Sequence, residues 1–188
     1  MNSLKKINIL ILILAVGATA AVWFWRSGPE AGFSEFSLAS LFSSRTDDPE
    51  SVSPLRYVNQ DLGFSFEYPA DMQILELDEV AGKIILGEGP QGAFQIFVMP
   101  FDEGGPLTAE RIKKDLPNLT MENPSPSKIN EIEAVSFIGS GGDIKTAELW
   151  FVSPKDPYPH GNYLYQVTSA LKDAELLEEI MQTWESKN

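Results

Sequence analysis

The amino-acid sequence predicts an α+β domain that is built on a central antiparallel sheet and preceded by one N-terminal transmembrane helix. Three observations support this prediction. The first 26 residues contain a long apolar run that no later stretch matches. The remaining chain has strand-like segments and two helix-like segments. The strand-like segments follow one another rather than alternating with helices, an order that favours hairpins and hence an antiparallel sheet.

The apolar run covers residues 7–25 and has only Asn8 and Thr19 as polar side chains. As a helix it spans roughly 28 Å, about one hydrocarbon core. Two lysines precede it and one arginine follows it, and this bias favours an N-terminus inside the cell with the rest of the chain outside. Residues 1–26 are therefore predicted to form a single-pass membrane anchor.

A cleaved secretory signal is the alternative for the same segment. Residues 7–16 would be its apolar core, and Ala18-Thr19-Ala20 would be the small-residue cleavage site. The uncleaved anchor is favoured because residues 22–25 continue the apolar run past the cut and bring it to spanning length. Both alternatives place the domain outside the cytoplasm, either at the cell membrane or secreted after cleavage near Ala20.

Composition divides the rest of the chain and excludes several classes of function. Residues 27–54 are rich in Ser, Gly, Pro and acidic side chains and are predicted to be a flexible linker. Residues 55–188 form the predicted domain and hold nearly all of the net charge of −13. Such a charge repels nucleic acid and anionic lipid. The chain has no cysteine, which excludes disulfides, thiolate metal sites and a cysteine nucleophile.

The strand signals of the domain begin at residues 63–68, where aromatic and polar residues alternate with period two. This pattern places Phe64, Phe66 and Tyr68 on one buried face. Short turns rich in Asp, Glu and Gly separate the next candidates. Further strands are predicted over residues 72–77, 83–86, 93–101, 128–137, 145–153 and 162–169, with a loop through Asn123-Pro124-Ser125-Pro126.

Two helices are predicted within the domain. The first follows Thr108, whose side chain can cap the free amides, and Pro117 limits it to about two turns. The second follows Asp173 as its cap, and its apolar side chains recur at helical spacing, which indicates a face that packs on the sheet. The residues of that face are Leu176, Leu177, Ile180, Met181 and Trp184.

Residues 57–69, which end in Gly-Phe-Ser-Phe-Glu-Tyr-Pro, resemble the opening of PsbP-like domains, including exported bacterial members of unknown function. The ending over residues 173–184, a short amphipathic helix after a Tyr-rich strand, is also similar to that family. The resemblance implies an α/β/α sandwich, in which helices flank a central antiparallel sheet. It also implies an accessory or binding domain rather than an enzyme, because the photosynthetic members are extrinsic, non-enzymatic subunits of the oxygen-evolving complex.

Two glycine-rich segments resemble catalytic or nucleotide-binding motifs only superficially. Residues 87–92 satisfy G-x-G-x-x-G, but a strand-like segment follows them where a dinucleotide site needs a helix, so they are predicted to form a hairpin loop. Gly139-Ser140-Gly141 lacks the G-x-S-x-G spacing of a nucleophile elbow. The sequence therefore predicts no catalytic residue and no cofactor.

Metal-binding patterns are equally weak. A single histidine and no cysteine cannot supply a zinc site. The acidic segments at Asp102-Glu103 and at Asp71, Asp78 and Glu79 lack the spacing of a calcium loop. Solvated acidic turns are the simpler interpretation, and no metal site is predicted.

The single histidine, His160, lies in a proline-rich loop over residues 154–161 between two predicted strands. Aromatic side chains dominate binding hot spots, so Tyr158 and His160 are the predicted contact site. Trp150, Tyr163 and Tyr165 are nearby in sequence, but the alternation of the last strand favours core packing for the two tyrosines.

Together these observations predict a membrane-anchored, extracytoplasmic and non-catalytic accessory domain of an envelope complex, with a protein as its partner. The alternative is an exported hydrolase or small-ligand-binding protein that uses the loops around His160. A deep cleft with polar groups at His160 would favour this alternative, whereas a flat aromatic patch would favour protein binding.

Overall fold

The computed structural model describes residues 53–101, 107–141, 144–153 and 162–186. Ser53–Asn188 form one compact unit. The predicted anchor, cleavage site and linker lie outside the described residues. Within the described ranges, no helix is long and apolar enough to cross a membrane.

A small three-stranded sheet opens the domain. Strand β1 (Leu55–Asn59) and the short strand β10 (Glu185–Ser186) pair antiparallel with opposite sides of β2 (Phe64–Tyr68). The sequence predicts β2 with Phe64, Phe66 and Tyr68 on its buried face. Phe64 and Phe66 are buried as predicted, and Tyr68 packs partly buried against the core. It predicts neither β1 nor β10, because β1 is half exposed and β10 has only two residues.

Seven strands form the large sheet. They are β3 (Gln73–Glu79), β4 (Gly82–Gly89), β5 (Gly92–Phe101), β6 (Glu122–Ile129), β7 (Ile132–Gly141), β8 (Ile144–Ser153) and β9 (Asn162–Ala170). Their order is β3-β4-β5-β9-β8-β7-β6, and every neighbouring pair is antiparallel. The predicted antiparallel sheet is confirmed, although β1, β2 and β10 lie in a second sheet. Among the described strands, β3 and β6 are the two edges of this sheet.

One predicted strand divides into two in the structure. The sequence predicts a single strand over residues 128–137, whereas the chain turns at Asn130 and Glu131 and returns as β7. Asn130 adopts a φ of 52°, a left-handed conformation that asparagine tolerates better than most residues. Its side chain donates a hydrogen bond to the carbonyl of Trp184. This long-range contact supports a turn that local sequence did not reveal.

The two predicted helices are present, and their caps differ. Helix α1 (Ala109–Asp115) follows Thr108, whose side-chain oxygen accepts a hydrogen bond from the Arg111 amide at 3.2 Å, as predicted. Helix α2 (Ala174–Gln182) follows a 3₁₀ turn over Leu171–Asp173. The Asp173 side chain does not cap α2, so that prediction is wrong.

The Asp173 carboxylate points at the β4–β5 hairpin instead. It accepts a hydrogen bond from the Ala93 amide at 3.3 Å. Gly92 has a φ of 142°, and a Cβ atom there would lie 2.6 Å from the Asp173 carboxyl carbon. Glycine at this position therefore allows the carboxylate to tie the 3₁₀ turn to the sheet.

The main core lies between one face of the large sheet and the layer formed by α2 and the small sheet. Trp184, just after α2, stacks on Phe64 of β2 with ring centroids 4.3 Å apart. Its ring also meets Phe151 and Tyr165 of the large sheet edge to face, each at 5.2 Å. Such aromatic pairs add to the free energy gained by burial. The predicted inward face of α2 is confirmed by the burial of Leu176, Leu177, Ile180 and Met181.

The opposite face of the large sheet carries a second set of buried apolar side chains. Phe97 lies between Ile96 and Val98 in β5, and alternation along a strand directs it away from the main core. Helix α1 contacts this face, since the Arg111 guanidinium lies 4.9 Å from the centre of the Phe101 ring. The domain is therefore a mostly antiparallel structure with two short helices.

Candidate functional site

The predicted contact residues Tyr158 and His160 lie outside the described residues. They fall in the segment between the end of β8 and the start of β9, which are neighbouring strands of the large sheet. Their role as a contact site stays a prediction.

The aromatic residues near that segment are part of the interior. Trp150 is buried and packs edge to face on Phe137, with ring centroids 5.3 Å apart. Tyr165 is buried and stacks on Phe151 at 4.8 Å, and Tyr163 packs partly buried against the core. The core packing predicted for the two tyrosines is confirmed, and Trp150 does not line an open groove.

The glycine-rich segment over residues 87–92 is a hairpin, as predicted. Gly87 and Gly89 lie in β4, two turn residues follow, and Gly92 begins β5. The Phe94 ring occupies the space beside Gly87 that a side chain would fill. These glycines thus serve strand packing, and no helix follows that could bind a pyrophosphate. As for metals, no three acidic or histidine side chains converge in the part of the chain that the structure describes.

A carboxylate on β8 forms the most concentrated polar cluster of the large sheet. Glu148 Oε1 accepts a hydrogen bond from Thr146 Oγ1 at 2.7 Å. Its Oε2 accepts from Thr168 Oγ1 at 2.7 Å and from Trp150 Nε1 at 2.9 Å. Burial raises the pKa of Glu148, although the three hydrogen bonds act in the opposite direction. Gly139 leaves room for the cluster, because a Cβ atom there would lie 2.7 Å from Thr146 Oγ1.

These contacts identify the Glu148 cluster as an internal support of the sheet. Each donor belongs to β8 or to its neighbour β9, and together they occupy both carboxylate oxygens. A group whose oxygens are already bonded within the sheet is poorly placed to receive a ligand. The cluster was not predicted from the sequence, although Thr146, Glu148 and Trp150 alternate along one strand and so share a face.

The outer edge of β3 is the strongest candidate for a functional site. The turn between β3 and β4 has only two residues, so Glu79 and Gly82 form a directly hydrogen-bonded pair. Bonded and non-bonded pairs alternate along an antiparallel ladder. The backbone groups of Leu75 and Leu77 therefore bond to β4.

The backbone groups of the intervening residues, Ile74, Glu76 and Asp78, point away from β4 by the same alternation. In the part of the chain that the structure describes, no strand pairs with this outer side. Three residues thus present both an N–H donor and a C=O acceptor along one open edge.

The side chains of β3 add an apolar surface to this open edge. Leu75 is 55% exposed and Leu77 is 38% exposed, and both lie on the same side of the strand. Val80, at the turn that follows, is fully exposed. Leu75 pairs with the half-buried Leu86 and Leu77 with the buried Ile84 on β4, so this apolar side of β3 continues into the interior on the neighbouring strand.

The other side of β3 is acidic. Lys83 on β4 lies 2.9 Å from a Glu76 carboxylate oxygen and 3.2 Å from one of Asp78, and its hydrogen bonds to these two carboxylates raise the pKa of its ammonium group. One ammonium group cannot neutralise both carboxylates, and Asp78 remains 87% exposed. The open edge therefore combines unpaired backbone groups, leucines on one side and net negative charge on the other.

Local sequence patterns do not reveal this edge. The alternation of Leu75, Glu76, Leu77 and Asp78 is visible in the sequence and predicts a strand with two different faces. Nothing in that alternation shows whether the strand lies at the edge or in the middle of a sheet. Only the strand order reveals that β3 has one neighbour among the described strands.

Comparison with known proteins supports the fold. No family model and no curated protein matches the sequence. Cyanobacterial PsbP (CyanoP) from Synechocystis has a similar solution structure, with a TM-score of 0.52 and 12% sequence identity over 77% of this chain and 98% of that chain. A crystal structure from Bacteroides thetaiotaomicron has a TM-score of 0.44 and 18% identity over 71% of this chain and 48% of that chain. The chain therefore has a PsbP-like fold, as the sequence resemblance implies.

Proposed function

We propose that this PsbP-like protein is a membrane-anchored, extracytoplasmic accessory domain that binds another protein and is not itself an enzyme. The observation that carries the proposal is the open edge of β3, where unpaired backbone groups lie beside exposed leucines. An open and apolar strand edge is a template for pairing with another chain, and soluble proteins usually block it.

The exposed leucines support a protein partner rather than a small ligand. Leu75 and Leu77 lie on the edge strand of the sheet, and Val80 lies at the turn that follows. Small-molecule sites are concave and enclose most of their ligand, whereas a strand edge offers an extended surface. Burial of such a side chain from full exposure contributes about 1.5–3 kcal/mol. Leu75 is 55% and Leu77 38% exposed, so a partner that covers the edge gains about 1 kcal/mol from each.

The proposed location rests on the N-terminal sequence. Residues 7–25 are long enough to span a bilayer. Lys5 and Lys6 precede this segment and favour an orientation with its N-terminal end inside the cell. The acidic domain would then lie outside the membrane on a linker of residues 27–54, and its net charge would keep it clear of anionic lipid. This arrangement would allow the domain to bind a membrane-bound or extracytoplasmic complex.

Site-specific photo-crosslinking tests the proposal. The full-length protein is produced in its own cells with a photoreactive amino acid in place of Leu77, and it is irradiated before the membranes are solubilised. We expect one discrete adduct that sediments with the membranes. A matched variant carries the same amino acid in place of Lys128, an exposed residue of β6 at the opposite edge, and we expect no such adduct from it.

The outcome at the two positions decides the proposal. An adduct from Leu77 alone supports protein binding at the open edge. Equal adducts from both positions would indicate unspecific collision, and the absence of an adduct from Leu77 would contradict the proposal.

A further inference from the structure

On the basis of the proposed function, we infer that the partner adds an extended segment to β3 as a further strand of the large sheet, and that this segment alternates apolar and basic side chains. The inference rests on three independent features of β3: the direction of its backbone groups, the exposure of its leucines and the charge of its other face.

The backbone defines how the partner binds. Ile74, Glu76 and Asp78 each direct one N–H and one C=O group away from β4. An extended peptide that lies along this edge can pair with all three residues. In strand addition, such main-chain hydrogen bonds provide affinity, and alternate side chains provide specificity.

The two sides of β3 define the side chains of the partner. Alternate residues of an added strand lie on opposite sides of the sheet. Those on one side would cover Leu75 and Leu77, which favours apolar residues. Those on the other side would lie opposite Glu76 and Asp78, where oppositely charged cross-strand neighbours are stabilising. The complementary segment therefore alternates Val, Ile or Leu with Lys or Arg.

A second copy of this chain fits the same edge poorly. The antiparallel register that places Leu75 opposite Leu77 of the second copy also places Glu76 opposite Glu76. Like charges directly opposite each other on neighbouring strands are destabilising. The net charge of −13 adds a repulsion between whole chains. Charge thus disfavours self-pairing in this register, whereas a basic strand meets opposite charges along the edge.

Amide hydrogen exchange tests this inference on the full-length chain in detergent micelles. The probe is a short synthetic peptide of alternating lysine and valine, and the control peptide has the same length with glutamate in place of lysine. In the free protein, we expect fast exchange at the amides of Ile74, Glu76 and Asp78, and slow exchange at those of Leu75 and Leu77. The lysine peptide should slow the three fast amides by about tenfold or more at saturation, and the glutamate peptide should not.

Two variants of one residue separate the backbone from the charge. Glu76→Pro removes the central backbone donor of the outer edge together with the carboxylate and its ion pair with Lys83. It leaves the backbone bonds to β4 intact, since proline is tolerated where the N–H would face solvent. Glu76→Gln keeps that donor and removes the charge. We expect Glu76→Pro to abolish protection at Ile74 and Asp78, and Glu76→Gln to weaken binding by a few-fold. If Glu76→Pro does not fold, Asp78→Pro makes the same test at a more exposed position.

The possible outcomes distinguish this inference from the proposed function. If the lysine and glutamate peptides protect the three amides equally, the inference that the partner is basic is overturned. If the crosslinked adduct at position 77 forms equally well when Glu76→Pro is also present, strand addition is overturned but protein binding stands. If no adduct forms at position 77 in the protein that keeps Glu76, protein binding itself is overturned. Protection of the three amides before any peptide is added would also overturn the inference. Protection that depends on protein concentration would show that a second copy occupies the edge. Protection that does not depend on it would show that another segment of the same chain occupies the edge.

Discussion

The two edges of the large sheet limit strand pairing in different ways. Strand β6 carries Pro124 and Pro126, and its register shifts between Glu122 and Ser125. Proline has no N–H to donate, and an irregular register disturbs the ladder, so both features block an added strand. Strand β3 has seven residues in continuous register and contains no proline.

The protection of β3 is selective rather than complete. Its carboxylates repel an acidic strand, but they leave every outward N–H and C=O group in place. A proline would exclude all partners, whereas a charge excludes only those of the same sign. The β6 edge is therefore closed to an added strand, whereas the β3 edge is open to a restricted class of partner.

The largest effect is expected from proline on the inner side of β3. Leu75→Pro removes an N–H that bonds to Leu86 of β4, and we expect it to lower the free energy of unfolding by about 3 kcal/mol. Glu76→Pro removes an outward N–H and should cost about 1 kcal/mol or less. Urea unfolding followed by near-ultraviolet circular dichroism measures both values. Equal losses would show that the N–H groups of Leu75 and Glu76 do not differ in their pairing, and hence that the outer side of β3 is not open.

A smaller effect is expected from removal of charge at the open edge. Replacing Glu76 and Asp78 by leucine removes the repulsion between two copies, and we expect self-association to strengthen by about tenfold, which corresponds to about 1.4 kcal/mol. Sedimentation velocity over a range of protein concentrations measures it. Replacing Ser125 and Lys128 on β6 by leucine is the matched control. That variant should stay monomeric because Pro124 and Pro126 remain, and its association would show that proline does not close the β6 edge.

The smallest effect is expected at Glu148, on a strand that lies between the two edges. Burial raises its pKa in the folded protein, so the folded state binds a proton at a higher pH than the unfolded state does. The free energy of unfolding should therefore fall as the pH rises from the ordinary carboxyl pKa through the raised value. We expect Glu148→Gln to remove this part of the pH dependence in urea unfolding curves.

Glu131→Gln, at an exposed turn residue, is the control for the change at Glu148. It should leave the pH dependence of unfolding unchanged. If the two variants gave the same profile, the hydrogen bonds to Glu148 would offset its burial, and the carboxylate would not disfavour the folded state at neutral pH.

Much of the fold could be predicted from local patterns. The alternation of Phe64 and Phe66, the capping side chain of Thr108 and the helical spacing of Leu176 to Ile180 all recur in the structure. Each depends on residues close together in the chain. The division of residues 128–137 into two strands was missed because the turn at Asn130 depends on its bond to Trp184, which is 54 positions away.

The candidate site was predictable only in part. Local alternation identifies the leucines and carboxylates of β3 as two faces of a strand. It does not show that those leucines remain exposed, because most strands bury one such face against a neighbouring layer. The loop predicted at Pro124 and Pro126 is wrong, because these prolines lie in the edge strand β6.

The amino-acid sequence alone was sufficient to predict an antiparallel domain with two short helices, because period and capping are properties of neighbouring residues, and the resemblance of residues 57–69 and 173–184 implied the PsbP-like fold. Strand order came only from the folded chain. It places β3 and β6 at opposite edges and leaves the backbone of one of them available. The physical reason is that a strand's own residues determine which side chains share a face, whereas the number of its neighbours depends on pairing between distant segments.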